Sequence, residues 1–325
     1  MATWTQKSPW RRIAITVTSM AVVLLMVASF RFVQSRGYFA SVEEKVPGMC
    51  RTVAGVAGVT GLAPDAHTAT VFIASRLGGI YVWHDGGLVK MSGTPKDFRP
   101  VALAVSHPQN AEAKLQVVFA REGGGYSVAV FDIQPGALTE IGRLTADTLT
   151  DPADLAAADG GRFYLVNRHK SHTALGRWLD DVFLLPRAEV LYFDGMKFVA
   201  VAGRLNSPGG VVMAPDGSHL YVAQELPRSL ASFTRSYFTG ALDNAALLSL
   251  PAAPRKITVA PNGSLIVAAS PKRGTGAVYR VRLDSGVPVA AELLYSTRSE
   301  EITAAAEASG HLLIGSQKAL IDCRL

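Results

Sequence analysis

The segment GGVVMAPDGSHLYVAQE, starting at Gly209, returns 46 residues later as RKITVAPNGSLIVAAS, starting at Arg255. Each copy reads as a strand, a tight turn and a second strand. The turns fall at Asp216-Gly217 and Asn262-Gly263, where glycine takes a positive φ at little cost. Fainter copies begin at Val101 (VALAVSHP) and Ala153 (ADLAAADGGRFYLVN). Six pairs of short alternating segments follow one another: FIAS with GIYVWH, LQVVFA with YSVAVFDI, RFYLVN with EVLYF, LYVAQE with LASFT, LIVAAS with AVYRVRL, and LLIG with ALIDCRL. A unit of about 45–55 residues holding several strands is the signature of a propeller blade. The chain is therefore expected to form an all-β, six-bladed β-propeller over residues 50–325. The first residues of successive units, Val101, Ala153, Gly209 and Arg255, are expected to look into one channel mouth, where propellers build small-molecule sites.

Composition agrees with a packed, turn-rich body. Of 325 residues, 49% are apolar and 18% charged, and there are 30 glycines and 17 prolines. The net charge of +6 is spread without a long basic run, and no nucleic-acid-binding signature is present, which excludes nucleic acid as a partner.

The N-terminus carries a different signal. Residues 13–30, IAITVTSMAVVLLMVASF, are 18 residues without a charge. Lys7, Arg11 and Arg12 precede them; Arg31 and Arg36 follow, partly offset by Glu43 and Glu44. This predicts an N-terminal transmembrane helix over 13–33, a cytoplasmic tail over 1–12, a linker over 34–49 and a propeller outside the cytoplasm, in the periplasm or in a eukaryotic lumen or exterior. A cleaved signal peptide with Val27–Ser29 as its cleavage site is the alternative, and it leaves the body in the same compartment. Two cysteines, Cys50 and Cys323, bracket the body. In a reducing compartment they are unrelated thiols; in an oxidising one a single bridge between them closes the whole domain.

Candidate functional residues are few. The chain lacks a G-x-S-x-G elbow, an H-E-x-x-H pair and a phosphate loop. Arg255 and Lys256 stand side by side at the start of a unit, and His169 lies in VNRHKSH. In ALGRWLDDVFLLPR, Trp178, Leu179, Val182 and Phe183 are apolar at helical spacing, which predicts a short amphipathic helix.

Four separated stretches, GMCRTVAGVAG, ADLAAADGGRFYLVNRH, GVVMAPDGSHLYVAQE and HLLIGSQKALIDCRL, occur in the order and form seen in the paraoxonase/arylesterase family. The sequence resembles that family from Cys50 to Leu325, within the broader group of gluconolactonase-like and strictosidine-synthase-like propellers. The resemblance implies a six-bladed propeller, a retained N-terminal hydrophobic segment, a Cys50–Cys323 disulfide, and hydrolysis of aryl esters or lactones. It also implies a helical segment, here 174–187, that covers the mouth and touches lipid through Trp178 and Phe183; packing of that helix on the propeller is the plain alternative.

The family's reaction runs through a channel calcium held by a glutamate, asparagines and an aspartate, with a histidine pair handling water. Carried over residue by residue, the glutamate-aspartate pair falls on Gly61 and Leu62. The asparagine-aspartate pair falls on Ala153 and Asp154, the next asparagine on Gly209, and the aspartate-asparagine pair on Arg255 and Lys256. The histidines fall near Val101 and Ala120. The expectation is a lost calcium site and no cofactor.

Three roles stand open for Arg255 and Lys256: a structural pair with Asp154 across the channel, capture of an anionic or carbonyl ligand, or a desolvated Lys256 acting as nucleophile or base. His169 aligns with a family histidine near the mouth, as a ligand-binding or a hydrogen-bonded structural residue. Two function classes follow. One is a metal-independent hydrolase of aryl esters or lactones; the other is a non-catalytic propeller that binds a small anionic ligand or a partner.

Overall fold

The computed structural model describes residues 9–35, 41–65, 67–95, 98–108 and 112–325. Within the expected tail and linker, Lys7 and Arg36 lie outside the described residues. Six four-stranded antiparallel sheets form the body. Their innermost strands, in chain order, are Val59–Asp65, Arg99–Ser106, Pro152–Ala157, Pro208–Met213, Ala253–Val259 and Ile302–Ala308. Each inner strand packs against the next, and the sixth against the first, which makes the ring of a six-bladed propeller. The twelve segments read from the sequence are the second and third strands of the six blades.

One irregularity recurs in all six blades. The pairing of inner strand with second strand slips by one residue near its start, at Thr60, Val101, Ala153, Gly209, Arg255 and Thr303. In four blades the residue before the slip is proline: Pro100, Pro152, Pro208 and Pro254. Proline has no N–H for the ladder, so it sits at a strand start or bulge without losing a bond. A bulge at a rim re-aims the side chains beside it. The neighbouring blades are also tied there. The Thr60 hydroxyl donates to the Pro100 carbonyl at 2.9 Å, and the Thr303 hydroxyl to the Val59 carbonyl at 2.7 Å.

The core lies between blades. Phe72, Leu103, Leu115 and Phe131 fill one interface, Tyr164, Val190, Val222 and Leu220 another, and Trp83 is fully buried between the last blade and the first. The ring closes with a borrowed strand: Cys50–Val53 forms the outer edge of the last sheet, paired with Leu320–Arg324. Cys50 faces Cys323 in this register, and a disulfide joins them. One step along, the buried Asp322 carboxylate accepts from Arg51 Nη2 at 3.0 Å and pairs with His311 Nδ1 at 2.6 Å. Before the closing strand, Lys45 bridges to Ser296, and Arg298 Nε donates to the Val42 carbonyl at 2.7 Å.

Two α-helices accompany the sheets. Helix α1, Pro9–Ser35, covers the expected anchor at 13–33. Among the described residues, however, no helix is long and apolar enough to cross a membrane. The described side chains of residues 13–27 are solvent-exposed throughout. Helix α2, Ala174–Phe183, is the expected amphipathic segment; Thr173 caps its N-terminus by accepting from Gly176 N, and Leu184 ends it in the left-handed region. Helix α1 meets α2.

Candidate functional site

The six bulges lie at one end of the ring, and the residue after each bulge is Gly61, Ala102, Asp154, Gly210, Lys256 or Ala304. Four of these side chains are small or absent, so the channel mouth is built around Asp154 and Lys256. Lys256 Nζ donates to Asp154 Oδ1 at 2.8 Å and to the Ala153 carbonyl at 2.5 Å; the other carboxylate oxygen accepts from Val211 N at 3.1 Å. One pair thereby links the third, fourth and fifth blades.

The reach from the fifth blade to the third depends on what lies between. A Cβ on Gly209 would fall 2.6 Å from the Arg255 carbonyl oxygen, and one on Gly210 would fall 2.8 Å from the Lys256 Cα. Glycine at both positions therefore lets the fourth and fifth inner strands approach closely enough for Lys256 to meet Asp154. Both partners are buried. Burial is the largest influence on each, pushing the ammonium down and the carboxyl up from their ordinary values, and their mutual contact opposes both shifts.

Arg255 turns the other way. Its Nη2 donates to Glu301 Oε2 at 2.9 Å, and Glu301 Oε1 accepts from Gly274 N at 2.9 Å. Both side chains stay about 30% exposed (30% and 29%), so this pair stands at the surface of the mouth. Two further clusters complete the mouth. Arg168 meets Glu225 at 2.7 Å. His169 is held from both sides, Nδ1 at 2.7 Å from Asp151 Oδ2 and Nε2 at 3.0 Å from Asp181 Oδ1 on α2. Burial works against its charge, but the two carboxylates outweigh burial and raise its pKa to about 9. At neutral pH His169 is an imidazolium clamped between carboxylates, a strut that fastens α2 to the third blade.

Arg177 adds two struts, with Nε donating to Ser171 O at 3.0 Å and Nη2 to Thr150 O at 2.9 Å. Leu179 and Val182 turn partly inward, while Leu175, Trp178 and Phe183 face solvent. The packing alternative therefore describes only half of the apolar stripe.

Of the sequence candidates, Asp154 and Lys256 meet in one contact, whereas Arg255 and His169 each bind a partner that sequence reading did not single out: Glu301, and Asp151 with Asp181. The register also corrects one assignment. The bulge equivalent to those at Ala153, Gly209 and Arg255 is Thr60, so the first-blade rim positions are Thr60 and Gly61; Leu62 pairs with Ile73 and is buried in the blade interface.

The arylesterase family model matches residues 44–316, most of the chain. The chain belongs to the arylesterase family. No curated protein matches it by sequence. Among solved structures, this arylesterase-family chain is similar to a gluconolactonase from Xanthomonas campestris, at 18% identity over 87% of this chain and 98% of that one, with a TM-score of 0.58. It is similar to the calcium-binding protein regucalcin from Agrobacterium tumefaciens, at 16% identity over 86% and 95%, with a TM-score of 0.58. It is also similar to a luciferin-regenerating enzyme, at 11% identity over 84% and 94%, with a TM-score of 0.57. At these identities the structural likeness speaks for the fold.

A channel calcium does not fit the residues of this arylesterase-family mouth. Calcium takes 6–8 oxygen ligands, several of them carboxylate. The rim pairs of the first, third, fourth and fifth blades offer one carboxylate, Asp154, and both of its oxygens are already engaged. Among the described residues, no group of three or more His, Cys, Asp or Glu side chains is arranged to hold a metal ion.

Proposed function

We propose that this chain is a hydrolase-type propeller that cleaves aryl esters or lactones at the channel mouth without a metal. The observation that carries the reading is the family match over residues 44–316 combined with a mouth whose central cation is the Lys256 ammonium. Arg255 and Glu301 are the partly exposed pair beside it. In this reading Arg255 polarises the substrate carbonyl, and Glu301 takes the proton of the attacking water. His169, already protonated, serves as a positioning residue for α2.

A second reading has its own support. Asp154, Asp151, Glu225 and Glu301 are each held by a cationic side chain, so none stands free as a general base, which suits a propeller that binds a small molecule or a partner without hydrolysing it. Assay of the full chain on phenyl acetate and a set of lactones separates the two. The hydrolase reading expects equal turnover in calcium and in chelator, reduced about 100-fold or more in Glu301→Gln. Absence of turnover in both conditions would transfer the chain to the binding class, and turnover that needs calcium would overturn the metal-independent site.

We further propose that α1 and α2 seat the mouth face on a membrane, with the N-terminus cytoplasmic and the propeller outside the cytoplasm, where the Cys50–Cys323 disulfide persists. Exposed Leu175, Trp178 and Phe183 on α2, next to the exposed apolar run of α1, support this placement. Flotation with phospholipid vesicles should weaken in Trp178→Glu/Phe183→Glu; unchanged flotation would remove α2 from the contact.

A further inference from the structure

A cleft of about 420 Å³ opens at the mouth face between the second and third blades, under the edge of α2. Ala120, Ala146 and Leu149 give it an apolar floor, but most of its exposed lining is polar, with Arg121, Tyr126 and Arg177 on the walls. The volume lies in the range of small-molecule sites.

Three features give this cleft a charge preference. Arg121 stands on one wall, and it makes no side-chain hydrogen bond or ion pair among the described residues. Arg177 faces it from α2, where the Ser171 and Thr150 carbonyls fix the guanidinium and Nη1 lies 3.8 Å from Asp151 Oδ1. The residues just past the second strands of the first three blades are Arg76, Arg121 and Arg168, so the mouth carries an arc of arginine on this side. Arg76, Arg168 and Arg177 all lie near enough to act on the Tyr126 phenol, whose pKa burial raises first and Asp151 next. Asp147 stands on the rim, and Asp151 stands beside Arg177.

The hairpin 121–125 is also open toward the cleft. Gly123, Gly124 and Gly125 all have positive φ, and a Cβ on Gly123 or Gly124 would meet no atom within 4 Å. Of these two glycines, Gly124 lines the cleft. The Tyr126 hydroxyl has no hydrogen-bond partner among the described residues.

We infer that this cleft binds the carboxylate of a small aromatic or aliphatic acid between Arg121 and Arg177. The cleft is a binding site separate from the Arg255–Glu301 pair of the hydrolase reading, which lies on the fifth and sixth blades. The apolar floor takes the hydrocarbon part, Tyr126 offers a hydroxyl donor, and the arginine arc draws the anion toward the mouth.

The test is calorimetric titration of the full chain with benzoate and with benzamide, its neutral counterpart. Benzoate should bind at least about tenfold tighter than benzamide. Arg121→Gln/Arg76→Gln should lose that factor with unchanged thermal stability, since neither side chain holds the fold. Equal affinity for the two compounds, no saturable benzoate binding, or unchanged affinity in the double variant would each overturn the assignment. The binding arm is independent of turnover, so a chain that binds benzoate but hydrolyses nothing refutes the hydrolase reading alone.

Discussion

Lys256→Ala is expected to destabilise the propeller by about 3–5 kcal/mol, the usual cost of removing one partner from a buried ion pair. The buried Asp154 carboxylate would keep its backbone bonds from Val211 and Leu155 but lose its one cationic partner. Much of the loss therefore reflects a stranded charge, not the intrinsic strength of the pair. The double variant Asp154→Leu/Lys256→Met separates these terms. Replacing both charges with apolar groups of similar volume should recover most of the stability, because the desolvation of both ions is relieved together. Denaturant unfolding of the two variants beside the parent is the measurement. A Lys256→Ala protein within about 1 kcal/mol of the parent would mean that the pair is solvated and does not hold the blades.

Removal of the Cys50–Cys323 disulfide is the second large effect. The bridge spans 273 residues, and chain entropy assigns a loop of that size about 5 kcal/mol, with measured values commonly between about 2 and 5 kcal/mol. Here the bridge also pins the first residue of the closing strand, whose ladder to Leu320–Arg324 covers only four residues. Cys50→Ala/Cys323→Ala should lower the melting temperature by about 5–10 °C, and trypsin should then reach the closing strand at Arg51 first. An unchanged melting temperature would place closure in the Arg51–Asp322–His311 cluster alone.

The sequence showed the architecture because propellers repeat. The turn at Asp216-Gly217 and its copy at Asn262-Gly263 mark the period, and the second and third strands, largely buried and bounded by turns, are all readable. The inner-strand starts were harder to place. Their bulges follow Pro100, Pro152, Pro208 and Pro254, a signal that reads locally as a strand break. Without it the first-blade rim was set one residue late, at Gly61 and Leu62.

The mouth was legible only in part. Asp154 and Lys256 are 102 residues apart, and their pairing was one of three readings until the glycines at 209 and 210 showed how closely the strands approach. The partners of His169 and Arg255 come from α2, a loop and another blade, where no period brings them into view. The arginine arc was present all along, as the residue after VFIAS, QVVFA and FYLVN, but equivalence between those positions needs the strand ends that only the fold supplies.

In the proposed metal-independent site the Lys256 ammonium supplies the positive charge at the centre of the mouth. Thermal unfolding of the full chain in millimolar calcium and in chelator tests this assignment most directly. The account predicts the same melting temperature in both, within about 1 °C. A site filled at 100 times its Kd would stabilise the fold by about 2.7 kcal/mol, or about 5 °C for a chain of this size. A calcium-dependent rise of that order, abolished by Asp154→Asn, would contradict the account and return a metal to the channel.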